Sequence, residues 1–194
     1  MDDKLLVNQI LRGNKSAFMQ VIADNQKLVV QIVHRLISDA ENRKDLVQEI
    51  FIKAYSGLPR FSFQSKLSTW IGSIAYNHCI HFLEKKKHVL FSELTGSNDN
   101  EESEGFDYND VTLLTPEQVL SKKLVGEVLN KEIETLPKLS QTLLILYHIE
   151  EKSYDEISLI TNLPMGTVKS YLFRARKQLK NQLLSKYTKE ALWK

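Results

Sequence analysis

The stretch YDEISLITNLPMGTVKSYLFRARKQL, residues 154–179, says more about the fold than any other part of the chain. Ile157, Ile160 and Thr161 recur at helical spacing behind a Tyr-Asp-Glu start, which predicts a short helix. Asn162-Leu163-Pro164 ends it, and Pro164 suits the first position of a second helix, where its missing N–H costs nothing. In that second helix Val168, Leu172, Ala175, Leu179 and Leu183 form one stripe, stepping by roughly 100° per residue. The opposite face carries Ser170, Phe173, Arg174, Lys177 and Asn181, flanked by Lys169 and Arg176. A buried stripe backed by a basic, hydrogen-bonding face is what a reader of the DNA major groove requires. A plain helix hairpin with a solvated basic edge shares the pattern, so the residues alone leave both readings open.

The chain has 194 residues, enough for one or two domains, and its 42% hydrophobic content supports a real core. Helical period runs through almost everything outside one acidic stretch, and strand-like alternation is absent, which predicts an all-α fold. Net charge is only +2, but it is unevenly spread. Residues 1–87 hold thirteen Lys and Arg against eight Asp and Glu, and residues 116–194 hold thirteen against nine. Residues 88–115 hold no basic residue against seven acidic ones. Their sequence includes SELTGSNDNEESEGFDYNDVTLLTP, residues 92–116, too polar to bury the surface that folding needs. The expected organisation is two small helical domains, 1–87 and 116–194, joined by a flexible acidic linker, 88–115. Each flanking block is modestly basic, which fits a polyanion-binding domain and an ordinary solvated one alike. No run of about eighteen apolar residues exists, and Met1-Asp2-Asp3 lacks the parts of a signal peptide. With a single Cys79 that cannot form an internal disulfide, the composition predicts a cytoplasmic chain without direct membrane insertion.

In the first block, apolar clusters at 5–11, 18–22 and 28–37 predict two or three helices, followed by longer ones over 43–57 and 68–87. The 43–57 helix directs Leu46, Val47, Ile50, Phe51, Ala54 and Tyr55 to the core. Asp45, Gln48, Glu49 and Ile52 project the other way. Such a face suits a basic, partly apolar protein surface, although a lone exposed isoleucine is also ordinary. Next, Phe61, Phe63 and Trp70 stand among Arg60, Ser65, Lys66 and Thr69 in a polar loop that enters the 68–87 helix. Aromatics with cations can hold unstacked bases at about 1–3 kcal/mol per stacking contact. The same rings can equally be core, and Trp70, close to Ile71, Ile74 and Ala75, reads as core. In the second block, apolar residues from Val119 to Ile133 predict a helix ending before Leu136-Pro137, with another over 140–147.

Three segments in this order resemble the short, two-domain, extracytoplasmic-function (ECF) group of bacterial RNA polymerase sigma factors. DLVQEIFIKAY (45–55) resembles that family's polymerase-binding helix, and FSFQSKLSTWIGSIAYN (61–77) its promoter-melting segment. Residues 154–179 resemble its −35-reading helix-turn-helix. The resemblance implies roles that spacing could not supply. Asp45, Gln48, Glu49 and Ile52 would dock on the clamp helices of the largest polymerase subunit. The flap of the second largest subunit is a further implied contact. Arg60, Phe61, Ser65, Lys66, Thr69 and Asn77 would hold a flipped base and the opened strand of the −10 element. Thr167, Lys169, Ser170, Tyr171, Arg174, Arg176 and Lys177 would contact the −35 element of promoter DNA. An anti-sigma factor is implied as inhibitor, and no cofactor is. The chain departs from the family pattern at Ser68, Ser73 and Tyr76, where basic residues are common, at His81 and Glu84, and at Tyr171, where arginine is common. These departures bear on −10 preference, strand opening and one −35 contact.

Other classes fit less well. An ordinary helix-turn-helix regulator would need a dimer to read paired half-sites, and no long heptad seam is present. No glycine-rich phosphate loop or nucleophile elbow occurs, so no enzyme is expected. His78, Cys79 and His81 are spaced so that Cys79 and His81 diverge on a helix, and zinc normally gathers four ligands, so no metal is expected.

Overall fold

The structure, a computed structural model, describes residues 3–94 and 122–187, which form α-helices and no strand. The first group comprises α1 (Asp3–Leu11), α2 (Lys15–Leu36), α3 (Ala40–Gly57) and α4 (Leu67–Leu94), with a single 3₁₀ turn at Leu58–Arg60. The second comprises α5 (Lys122–Glu134), α6 (Lys138–His148), α7 (Tyr154–Thr161) and α8 (Met165–Lys186). The expected linker lies outside the described residues from 95 onward. Before that, α4 continues to Leu94, because His88-Val89-Leu90-Phe91 prolongs a helix-compatible sequence past residue 87.

Local chemistry sets the helix ends. Asn14 caps α2 by accepting from the Ala17 N–H at 3.2 Å, and Asp39 caps α3 by accepting from Glu41 N–H at 3.0 Å. Such caps are each worth about 1 kcal/mol. The first described turn of α4 is satisfied from a distance: Asp3 on α1 accepts the Leu67 N–H at 2.7 Å. Ser153 and Glu156 form a reciprocal capping box at the start of α7, and Asn162 closes it in the left-handed conformation with φ 57°. Pro164 stands one position outside α8 with ψ 141°, so it precedes the helix rather than opening it.

Packing follows the apolar stripes. Leu28, Val29, Ile32 and Val33 of α2 are buried, as are Ile50 and Ala54 of α3 and Ile71, Ala75 and Cys79 of α4. Tyr55 departs from the expected core face. It is 45% exposed and meets Phe18 edge-on at 4.8 Å between ring centres. In the second group Leu143, Leu146, Ile157, Ile160, Val168 and Leu172 are fully buried. The two groups share one continuous core, with α2 against α6 and α4 against α7.

Candidate nucleic-acid interface

The expected duplex reader, α8, packs on α6 and α7 through Val168, Leu172 and Ala175. That seating turns Lys169, Ser170, Phe173, Arg174 and Lys177 to solvent, with Phe173 67% exposed. Arg174 stacks over the Tyr171 ring at 4.7 Å, and its Nε donates to the Ser170 carbonyl at 3.4 Å. Thr167 lies half-buried in the first turn, where its carbonyl accepts the Ser170 hydroxyl at 2.9 Å. Arg176 is turned inward. It lies 4.7 Å over Tyr147 and donates from Nε to His148 Nε2 at 3.1 Å. Burial, helped by that guanidinium, holds His148 below its usual pKa. Lys169 lies 5.6 Å over Tyr154, which stacks on Tyr147 at 5.0 Å. Of the seven expected −35 residues, Lys169, Ser170, Arg174 and Lys177 are exposed, Thr167 and Tyr171 are half-buried, and Arg176 packs toward α6.

The expected −10 residues are divided. Arg60, Lys66 and Asn77 are exposed and Ser65 is half-exposed. Phe61 is only 7% exposed, sandwiched between Phe63 at 4.7 Å and Trp70 at 5.0 Å. Trp70 in turn lies against Gly57, where a Cβ would approach to 3.0 Å. Thr69 is 1% exposed, and its hydroxyl donates to Glu156 of α7 at 3.2 Å. Lys66 pairs with the same carboxylate at 3.1 Å, and Lys152 donates to the Ser68 hydroxyl at 3.0 Å. Burial would raise the Glu156 pKa; the Ser153 backbone N–H and the Lys66 ammonium outweigh it and hold the group at about 2. Sequence reading missed Glu156 and Lys152 as partners of this segment, and the close approach of Ile160 of α7 to Gly72 of α4, where a Cβ would come within 3.1 Å of it. The one available signal was a glycine inside a helical pattern.

The acidic face of α3 is outward as expected. Asp45, Gln48 and Glu49 are exposed and Ile52 is 64% exposed. Glu49 is not wholly free, because His78 Nε2 on α4 lies 2.6 Å from its carboxylate and Lys53 Nζ lies 2.8 Å from His78 Nδ1. The Cys79 thiol beside it is fully buried and pushed up to about 12. A separate apolar groove of about 780 Å³ opens between α5, α6 and α8, walled by Leu129, Ile133, Leu144 and Leu183 and rimmed by Arg176 and Lys180. Among the described residues no helix is long and apolar enough to cross a membrane.

Residues 21–89 match the family described as Sigma-70 region 2, and residues 127–179 match Sigma-70, region 4. The ECF RNA polymerase sigma factor SigW of Bacillus subtilis strain 168 is 30% identical over 93% of this chain and 96% of its own length. The RNA polymerase sigma-H factor of Pseudomonas aeruginosa is 32% identical over 93% of each chain. The fold is shared with the sigma factor RpoE of Bartonella quintana, solved in complex with the anti-sigma factor NepR, at a TM-score of 0.60 and 22% identity over 86% of this chain and 96% of that one. The chain belongs to the ECF group of the sigma-70 family, and is a sigma factor that binds RNA polymerase and directs transcription initiation at specific promoters.

Proposed function

We propose that the two halves divide promoter recognition between them, residues 116–194 reading the −35 duplex and residues 1–87 serving polymerase and the −10 element. The observation that carries this is the α8 surface, where Lys169, Ser170, Phe173, Arg174 and Lys177 face outward above the buried Val168, Leu172 and Ala175. Side chains of these types match base edges and phosphates in a major groove. The exposed Asp45, Gln48, Glu49 and Ile52 support docking of α3 on the polymerase clamp helices. Arg60, Phe61, Ser65, Lys66, Thr69 and Asn77 form the −10 site, with Phe61 and Thr69 needing local movement before a base can reach them. The apolar groove between α5, α6 and α8 is offered to the polymerase flap or to an anti-sigma partner, the kind of protein that RpoE is bound to. The chain acts in the cytoplasm, where polymerase and chromosome are, and has no catalysis of its own. Polymerase carrying an Arg174→Ala, Lys177→Ala chain should bind promoter duplex roughly ten- to a hundredfold more weakly, with a shallower salt dependence. Unchanged promoter selection in that variant would remove α8 as the reader.

A further inference from the structure

Glu49 and Lys53 stand one helical turn apart on α3 with the acid nearer the N-terminus, the spacing at which such a pair closes on itself. Instead, His78 of α4 takes both. Its Nε2 lies 2.6 Å from the Glu49 carboxylate, and its Nδ1 lies 2.8 Å from the Lys53 ammonium. An ammonium has only hydrogens to offer, so Nδ1 presents its lone pair to Lys53. The ring proton therefore sits on Nε2 and is donated to the carboxylate in a short, charge-assisted bond. The two ends of that bond differ in exposure. The His78 side chain is 12% exposed and that of Glu49 56%, so the imidazole is enclosed while the carboxylate still faces solvent. Beneath the ring α3 packs on α4, with Ile50, Ala54, Ala75 and Cys79 all buried in the core. The donor thus has a rigid base. A long acidic side chain loses rotamer freedom when a partner binds it, and one already held in place loses less.

We propose that His78 is a positioning residue for polymerase docking, holding the Glu49 carboxylate in place and keeping Lys53 from neutralising it. The proposal rests on the reading of Asp45, Gln48, Glu49 and Ile52 as the docking face. His78 acts through Glu49 rather than by its own contact with polymerase, because so little of it reaches the surface. Loss of the imidazole removes the donor and frees Lys53 to swing along α3 onto Glu49. The docking face then meets polymerase with one of its charges masked and unordered.

Titration of full-length chains with purified polymerase core tests this. His78→Leu should keep wild-type helix content by circular dichroism and bind core about five- to tenfold more weakly, the scale of one partly exposed hydrogen bond. His78→Gln, whose amide can donate to Glu49 and accept from Lys53, should stay within about twofold of wild type. A His78→Leu, Lys53→Met chain should regain most of the lost affinity, since the competing ammonium is gone. His78→Gln as weak as His78→Leu, or a double variant no stronger than His78→Leu, would overturn the positioning role. The Asp45→Ala, Glu49→Lys chain in the same titration separates two kinds of failure. If it loses core while His78→Leu binds as wild type does, His78 has no part and the docking face stands. If it binds core normally, α3 is not the docking face and the proposal falls with it.

Discussion

At the residue scale, two side chains on α7 and α8 have effects that separate cleanly. Tyr171 occupies a position where the family commonly has arginine, yet it supports charge rather than replacing it, since Arg174 lies flat against its ring at 4.7 Å. An exposed cation–π contact is worth about 0.5–1 kcal/mol, so Tyr171→Leu should weaken −35 duplex binding by roughly two- to fivefold. Tyr171→Phe should restore it; equal binding by all three forms in a fluorescence anisotropy titration of holoenzyme would discount the ring. Glu156 has a pH signature. Its carboxyl is held at about 2 against an ordinary 4.5, so the folded state binds its proton less readily than the unfolded one. The stabilisation is fully present above about 4.5 and is lost as pH falls toward 2. Glu156→Gln should flatten the decline of thermal stability across that window relative to wild type, and a parallel decline would contradict the pairing with Ser153 and Lys66.

At the scale of elements, α3 carries the exposed polar face proposed to dock on polymerase. Its buried side is complete with Leu46, Ile50, Phe51 and Ala54, so nothing on the outward side is needed for the core. An Asp45→Ala, Glu49→Lys chain should keep its helix content and lose measurable association with polymerase core in a pull-down. Normal core affinity in that variant would remove the docking role. The buried stripe of α8, the breaker at Asn162-Leu163-Pro164 and the inner face of α3 were legible in sequence because period and capping chemistry are local properties. Small displacements were not. Pro164 stands one position before α8 because the chain must still turn there, and Tyr55 sits partly exposed because Phe18 of another helix offers it an edge. Arg176 reads as an outer cation from its position beside the basic face, but Tyr147 and His148 of α6 draw it inward. No single-helix pattern contains those neighbours.

At the scale of the whole molecule, the sequence marked two helical groups and an acidic stretch between them, yet gave no account of how the groups meet. That relation depends on side chains far apart in the chain, such as Thr69 with Glu156 and Lys27 with Glu150. Long-range pairs leave no periodicity to detect, and Gly72 was the only local mark of the close approach. In the proposed division, this sigma factor carries its duplex-reading and strand-holding surfaces on different helices, to be brought to a promoter by polymerase. Transcription from a randomised promoter library, with purified polymerase core and this chain added together or singly, tests that most directly. Transcripts should arise only with both components present, from templates enriched for two separated sequence elements, and the upstream enrichment alone should fade with Arg174→Ala, Lys177→Ala. Selection of the same templates by the chain without core, or an enrichment pattern indifferent to its presence, would contradict the account.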